Sequence, residues 1–132
     1  MYIRFVTSEL DEWSGAEIGF FQPAIAVKYE KVPADDWIRT EITDQVDWFN
    51  EHLDAPEKLD RSAGLRGRVY GICWFRPEAV EAVSRARYMA WLLTEAGIPV
   101  LDLKRRDPGE IIWRDLMQVV AKPPRDLPRL FH

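Results

Sequence analysis

The first residues, YIRFVTS (2–8), set Ile3, Phe5 and Thr7 against Arg4 and Val6. That period of two predicts a strand. SELDEWSGAE follows, charged and holding Gly15, and predicts a loop in which Ser14 and Glu17 have capping-box spacing. Residues 18–32 carry two patterns at once. Ile18, Phe21, Ile25, Tyr29 and Val32 recur at helical spacing, while AIAVKYE alternates as a strand would and Pro23 interrupts a helical ladder. The reading adopted is a helix, kinked near Gly19 or beginning at Pro23. A clearer helix occupies 33–53. Pro33 and the Asp35–Asp36 pair suit its N-terminus, and Ile38, Ile42, Val46, Phe49 and Leu53 form one apolar stripe.

Residues 54–66 read as a polar loop. RVYGICWF (68–75) is apolar almost throughout after Arg68, as a strand buried on both faces would be. Pro77 then suits the first position of a third helix, whose apolar face is rich in alanine: Ala79, Ala82, Ala86 and Ala90. Gly97 stands where that helix should stop, and IPVLDLK (98–104) reads as the next strand. Residues 68–104 thus predict one βαβ unit with parallel strands. After the Asp107-Pro108-Gly109 turn, EIIW (110–113) and QVVA (118–121) predict a hairpin at the sheet edge. The fold class expected is α/β, with α+β as the alternative. It would be a single small two-layer domain over 1–122, with about three helices, a mixed sheet with the βαβ unit at 68–104, and a C-terminal hairpin. Residues 123–132 would be a Pro-rich tail.

The closing segment carries Pro108, Gly109, Ile111, Trp113, Asp115, Gln118, Val119, Val120 and Ala121 as PG-x-I-x-W-x-D-x-x-Q-V-V-A. Together with the preceding ICWF strand, helix and IPV strand, it resembles a group of small bacterial proteins of unassigned function. The similarity in element order covers most of the chain. It implies no activity, ligand or catalytic residue.

Composition changes this picture in two ways. Six Trp in 132 residues is a high count, so most should be core and a few are free to form a contact surface. The net charge of −4 hides an asymmetry: residues 1–60 hold 14 acids against 5 bases, and residues 61–132 hold 8 acids against 13 bases. Opposed charges of that kind can steer a charged partner, although an acidic chain is a poor general DNA binder. Cys73 is the single cysteine, which excludes an internal disulfide framework. No secretory leader is recognisable, and no apolar run approaches the ~18–20 residues that span a bilayer. A cytoplasmic protein without membrane association is expected.

Most chemistry finds no support in the residue pattern. His52 and His132 have no zinc spacing, and His52 beside Phe49 and Leu53 reads as packing. Neither a phosphate-cradling glycine loop nor a G-x-S-x-G elbow occurs. Cys73, mid-strand, reads as a buried inert thiol. The acids Asp35–Asp36, Asp44, Asp47 and Glu51 read as a solvated helix face. No metal or cofactor is expected.

Two constellations remain. The carboxyl ends of parallel strands are favoured ligand positions. Arg76, Lys104, Arg105 and Arg106 would gather there as an anion site, joined by Thr7 and Ser8 if the first strand runs the same way. Glu9, Glu78 and Asp107 are near enough in sequence to neutralise it. Trp37 and Trp48, eleven apart on one helix, and Tyr88 and Trp91 on the next flank the apolar faces and suit a partner contact. Arg87 could stack on Trp91. The leading expectation is a non-catalytic binding or interaction module, whose partner is another protein or a second copy. Binding of an anion or a nucleic-acid backbone is the less favoured alternative. A small metal-independent enzyme with Asp115 as its acid ranks last.

Overall fold

The computed structural model describes residues 1–10, 17–53 and 72–122. The chain runs β1 (Tyr2–Leu10), β2 (Glu17–Gly19), α1 (Phe21–Lys28), α2 (Asp36–His52), β3 (Ile72–Phe75), α3 (Val80–Glu95), β4 (Leu101–Arg105), β5 (Glu110–Arg114) and β6 (Gln118–Lys122). Among the described residues it is a small α+β domain of three helices and a six-stranded antiparallel sheet. No helix there is long and apolar enough to cross a membrane. Ser14, the loop 54–66, the strand start 68–71 and the tail 123–132 lie outside the described residues.

The sheet corrects the expected parallel pair. Ile3 of β1 pairs with Phe75 of β3 and with Lys104 of β4, both antiparallel. The strands before and after α3 therefore share a direction but do not touch, because β1 lies between them. Val6 pairs with both Leu101 of β4 and Gly19 of β2, so β2 and β3 follow one another along the opposite edge of β1. The sheet continues from β3 through β6 to β5. The C-terminal hairpin stands where the sequence predicts it. Ile111 pairs with Ala121 and Trp113 with Val120, so Ile112 is an extra residue in β5, a β-bulge.

The helix expected over 18–32 forms at Phe21–Lys28, but Glu17–Gly19 is a strand. Gly19 belongs to the ladder with Val6, and the Phe20 N–H donates to the Phe5 carbonyl at 3.0 Å, which holds the segment extended. The helix starts only at Phe21. Pro23 then falls in its first turn, where a missing N–H costs no intrahelical bond. Pro77 does not open α3. The Ala79 N–H donates to the Arg76 carbonyl and closes a turn over Pro77–Glu78 before the helix begins at Val80.

The main core lies between the helices and one face of the sheet. Its centre is an aromatic group. Phe20 lies 5.2 Å from Phe5, Phe21 lies 5.1 Å from Phe49, and Phe49 lies 5.8 Å from Phe75, ring centre to ring centre. The predicted stripe of α2 supplies Ile38, Ile42, Val46 and Phe49, and α3 supplies Ala82, Ala86, Met89, Leu92 and Leu93. Side chains alternate across a strand, so Trp74, next to Phe75, faces the other side. There it joins Ile72, Leu103 and Val119 in a second cluster, with 1% of its surface exposed. The Arg4 guanidinium sits 5.6 Å from the Trp74 ring. β1 is thus buried on both faces from Ile3 to Thr7, not on one as its alternation suggested.

Arg39 fastens α1 to α2. Its guanidinium donates to the carbonyls of Val27 at 3.2 Å and Ala34 at 3.1 Å and to Asp36 at 3.3 Å. The helix ends on either side of the core use one device. After α3, Gly97 has φ +91°, with its N–H bonded to Thr94 O and the Ile98 N–H bonded to Leu93 O. After α1, Glu30 takes the same left-handed place at φ 61°, with its N–H bonded to Val27 O and the Lys31 N–H bonded to Ala26 O. Both are Schellman motifs, but only one has the glycine that the conformation favours.

Two outcomes follow. Glu30→Gly should raise the unfolding free energy by ~0.5–1 kcal/mol, since the left-handed strain of a side chain exceeds glycine's extra unfolded-state entropy. Urea denaturation measures it. The lost Arg39–Glu30 pair, 3.9 Å apart and solvent-exposed on the glutamate side, offsets little of this gain. The second outcome concerns Lys28, whose ammonium lies 2.6 Å from Asp47. That hydrogen bond, with the carboxylate's charge and against some desolvation, raises the Lys28 pKa above its usual 10.5. The folded state therefore holds the proton more tightly than the unfolded one. The pair's contribution is complete below pH 10.5 and is lost as the pH rises through the raised value. Between pH 9 and pH 11.5 the melting temperature should fall further in the wild type than in Asp47→Asn.

Candidate functional site

The four aromatic residues expected to contact a partner lie along one seam between α2 and α3. Trp37, Glu41, Asp44 and Trp48 recur at three- and four-residue spacing, so they line one side of α2 beside its buried stripe. On α3, Arg85, Tyr88 and Trp91 do the same. Trp48 meets Arg85, Glu41 meets Tyr88, and Trp37 meets Trp91. Positions fall on α2 as they rise on α3, so the helices run antiparallel along the seam. From Trp37 to Trp48 it spans about 16 Å, at 1.5 Å per residue.

The two ends of the seam differ. At the Trp48 end, His52 stacks on the indole at 4.2 Å and the Arg85 guanidinium lies 4.6 Å from its centre. Arg85 also donates to Glu81 at 3.1 Å and to Gln45 at 3.3 Å. Trp48 is half-buried, and its polar neighbours are satisfied. At the other end, Trp37 and Trp91 are 6.3 Å apart and Tyr88 is 6.1 Å from Trp91. Trp37 is 52% exposed, Trp91 50% and Tyr88 36%. Partial burial, together with the charge and hydrogen bond of Glu41, holds the Tyr88 phenol above its usual pKa of 10. Among the described residues no cation lies over these three rings. Arg87 does not stack on Trp91. It pairs with Asp102 at 3.3 Å and lies 5.7 Å from the Phe5 ring. Beyond Trp91 the surface dips into an open groove of about 300 Å³, lined by Phe5, Ala90, Val100 and the Arg87–Asp102 pair.

The basic residues come to one end of the sheet, with β1 interposed. Two strand spacings, about 10 Å, separate β3 from β4 across it. Arg76 is held in the fold: its N–H donates to Met117 O at 2.8 Å, and its guanidinium donates to Asp115 O at 2.9 Å beside Glu78 at 3.6 Å. The Lys104 ammonium is 3.7 Å from Asp102, and Arg105 donates to Asp107 O at 3.0 Å. Arg106 is exposed. Thr7 and Ser8 do not join these bases. β1 runs antiparallel to β3 and β4, which puts them toward the other end, where the Thr7 hydroxyl donates to Ile18 O at 3.3 Å.

Asp115 shapes the hairpin turn, its carboxylate accepting the N–H groups of Met117 and Gln118, both at 2.8 Å. The α2 acids do not converge. Asp36 turns to Arg39 and Asp47 to Lys28. Among the described residues no three His, Cys, Asp or Glu side chains gather as metal ligands would. Cys73 is exposed, contrary to the buried position expected of it. The atoms around the sulfur still desolvate it enough to raise its pKa; Arg4 opposes the rise and Asp115 adds to it. A thiol held protonated is a poor nucleophile. Residue types alone did not reveal the roles of Arg85, Glu41 and Arg39. Helical spacing named the aromatic residues on both sides of the seam, Trp37 and Trp48 on α2 and Tyr88 and Trp91 on α3, but not which charges would join them.

Comparison with protein-family models, with curated proteins and with solved structures finds no match to this chain. The geometry of the seam can be checked through Tyr88. In Glu41→Gln, with the carboxylate charge removed, the Tyr88 pKa should move down toward 10 while staying above it, because the desolvation persists. Carbon-13 NMR of the tyrosine ring carbons across pH 8–12 reads the shift.

Proposed function

We propose that this chain is a protein-interaction module that docks a partner on the outer α2–α3 seam at Trp37, Tyr88 and Trp91. The observation carrying this reading is that two indoles, brought into contact by different helices, remain half exposed. Covering a large apolar side chain is worth ~1.5–3 kcal/mol. Three such rings in contact, rimmed by Glu41 and Asp44, have the make-up of an interface centre: aromatic anchors inside a polar edge. The adjoining groove beside Phe5 and Val100 extends the surface. Trp48 belongs to the same seam, but Arg85 and His52 already cover it, so its part is to hold the two helices together. The bases Arg76 and Arg105 support this reading indirectly, since internal carbonyl groups already engage them.

The reading is tested by selecting displayed peptides on the wild-type protein and comparing them with a Trp37→Ala, Trp91→Ala variant. Because both indoles are exposed, the variant should keep the wild-type melting temperature to within a few degrees. Peptides enriched on the wild type should lose affinity about tenfold or more on the variant, measured by fluorescence anisotropy. Peptides that bind both proteins alike, or no enrichment at all, would remove the seam as a docking surface.

A further inference from the structure

The two ends of the seam carry the same pairing of an aromatic face with a carboxylate. At Trp48 the set is complete. A guanidinium, from Arg85, lies over the indole, and Glu81 accepts a hydrogen bond from it at 3.1 Å. At Trp37 and Trp91 the aromatic faces and the carboxylate are present, and none of the described residues supplies the cation. Glu41 is four residues from Trp37, and so next to it on the helix surface, and it stands close enough to Tyr88 to hold the phenol protonated. Neither Glu41 nor Asp44 forms an ion pair among the described residues. Helix α2 as a whole carries five acids, Asp36, Glu41, Asp44, Asp47 and Glu51, against Arg39 as its one Lys or Arg. Aromatic faces attract cations through their negative π-surface, with tryptophan the strongest. The surrounding acids add a long-range attraction of the same sign.

We infer that Trp37, Tyr88, Trp91 and Glu41 receive a cationic side chain, an arginine or lysine, from a basic segment of a partner protein. The inference rests on the interaction reading above and specifies the chemistry of its partner. The incoming cation takes the place over Trp37 and Trp91 that Arg85 takes over Trp48, with Glu41 accepting its N–H groups as Glu81 does for Arg85. The groove beyond Trp91 accommodates the apolar stem or the neighbouring residue of the segment. Arg87 stands on the far wall of that groove. Its partner Asp102 also pairs with Lys104, so that wall keeps a positive charge, and the groove suits the apolar part of the segment and not its base.

The test uses the full chain and two peptides, hexa-arginine and hexa-citrulline, which match in shape and differ in charge. Binding is followed by chemical-shift changes of the tryptophan indole N–H signals. Hexa-arginine should shift the Trp37 and Trp91 signals, with an affinity at least tenfold above that of hexa-citrulline and falling as salt is raised. Glu41→Gln should weaken it several-fold and Trp37→Ala, Trp91→Ala about tenfold, with the Trp48 signal unmoved throughout. Hexa-arginine binding untouched by these substitutions would mean diffuse attraction to an acidic protein, and would overturn the inference. So would the absence of binding. Equal binding of both peptides, lost in the Trp variant, would overturn the cation while leaving the docking surface intact.

Discussion

Strand β1 has two edges and two faces, and all four are in use. Ile3 to Thr7 are buried, so the backbone N–H and C=O groups there have no water to turn to and must pair with other strands. β4 takes one edge; β3 and β2 share the other. Since β3 and β4 flank β1 and α3 joins them, α3 must cross over β1. The small side chains of Ala82, Ala86 and Ala90 let it lie close. With that face turned inward, Tyr88 and Trp91 turn outward, alongside the outer line of α2. The position of the seam is thus a consequence of where β1 sits.

Much of this was legible in the sequence wherever burial is periodic. The α2 stripe, the alanine face of α3, its glycine stop and the closing hairpin all follow from local spacing. Strand neighbours do not. A run such as ICWF reports that a strand is buried on both faces, but not which strand lies beside it, and the parallel pair inferred for 68–104 failed for that reason. β2 escaped notice because three residues are too few to show a period, and Ile18 falls in step with Phe21 and Ile25 of the helix that follows. In the candidate site, the aromatic residues were legible and their companions were not. Glu41 and Arg85 look like ordinary surface charges until α2 and α3 are placed side by side. The strand-end bases lie at one end of the sheet but with β1 between β3 and β4, and Arg76 bridges to the hairpin turn, a role that depends on β6 lying next to β3.

The contrast within the seam also bears on how the helices are held. Trp48, Arg85, Gln45 and Glu81 form a closed polar–aromatic joint between α2 and α3. Arg39 does similar work between α1 and α2, through two carbonyl groups and Asp36. These joints fix the helix spacing from the outside, while the phenylalanine group fixes it from within. The rings at the far end of the seam therefore stand on a rigid base, and a partner would lose little entropy in ordering them.

Among the described residues β4 and β5 each pair on one side only, as does the three-residue β2, and β4 and β5 are protected in different ways. β5 carries the Ile112 bulge, which bends and twists the strand and breaks the even spacing of its hydrogen-bonding groups. β4 is five residues long and bears Asp102, Lys104 and Arg105, followed at once by Arg106. A strand from another molecule would meet a kinked template on one side and a short, charged one on the other. Growth by strand addition, the route by which sheets polymerise, is thereby discouraged at β4 and β5. A contact of the kind proposed at the helix seam would be made by side chains, and so would be finite and selective.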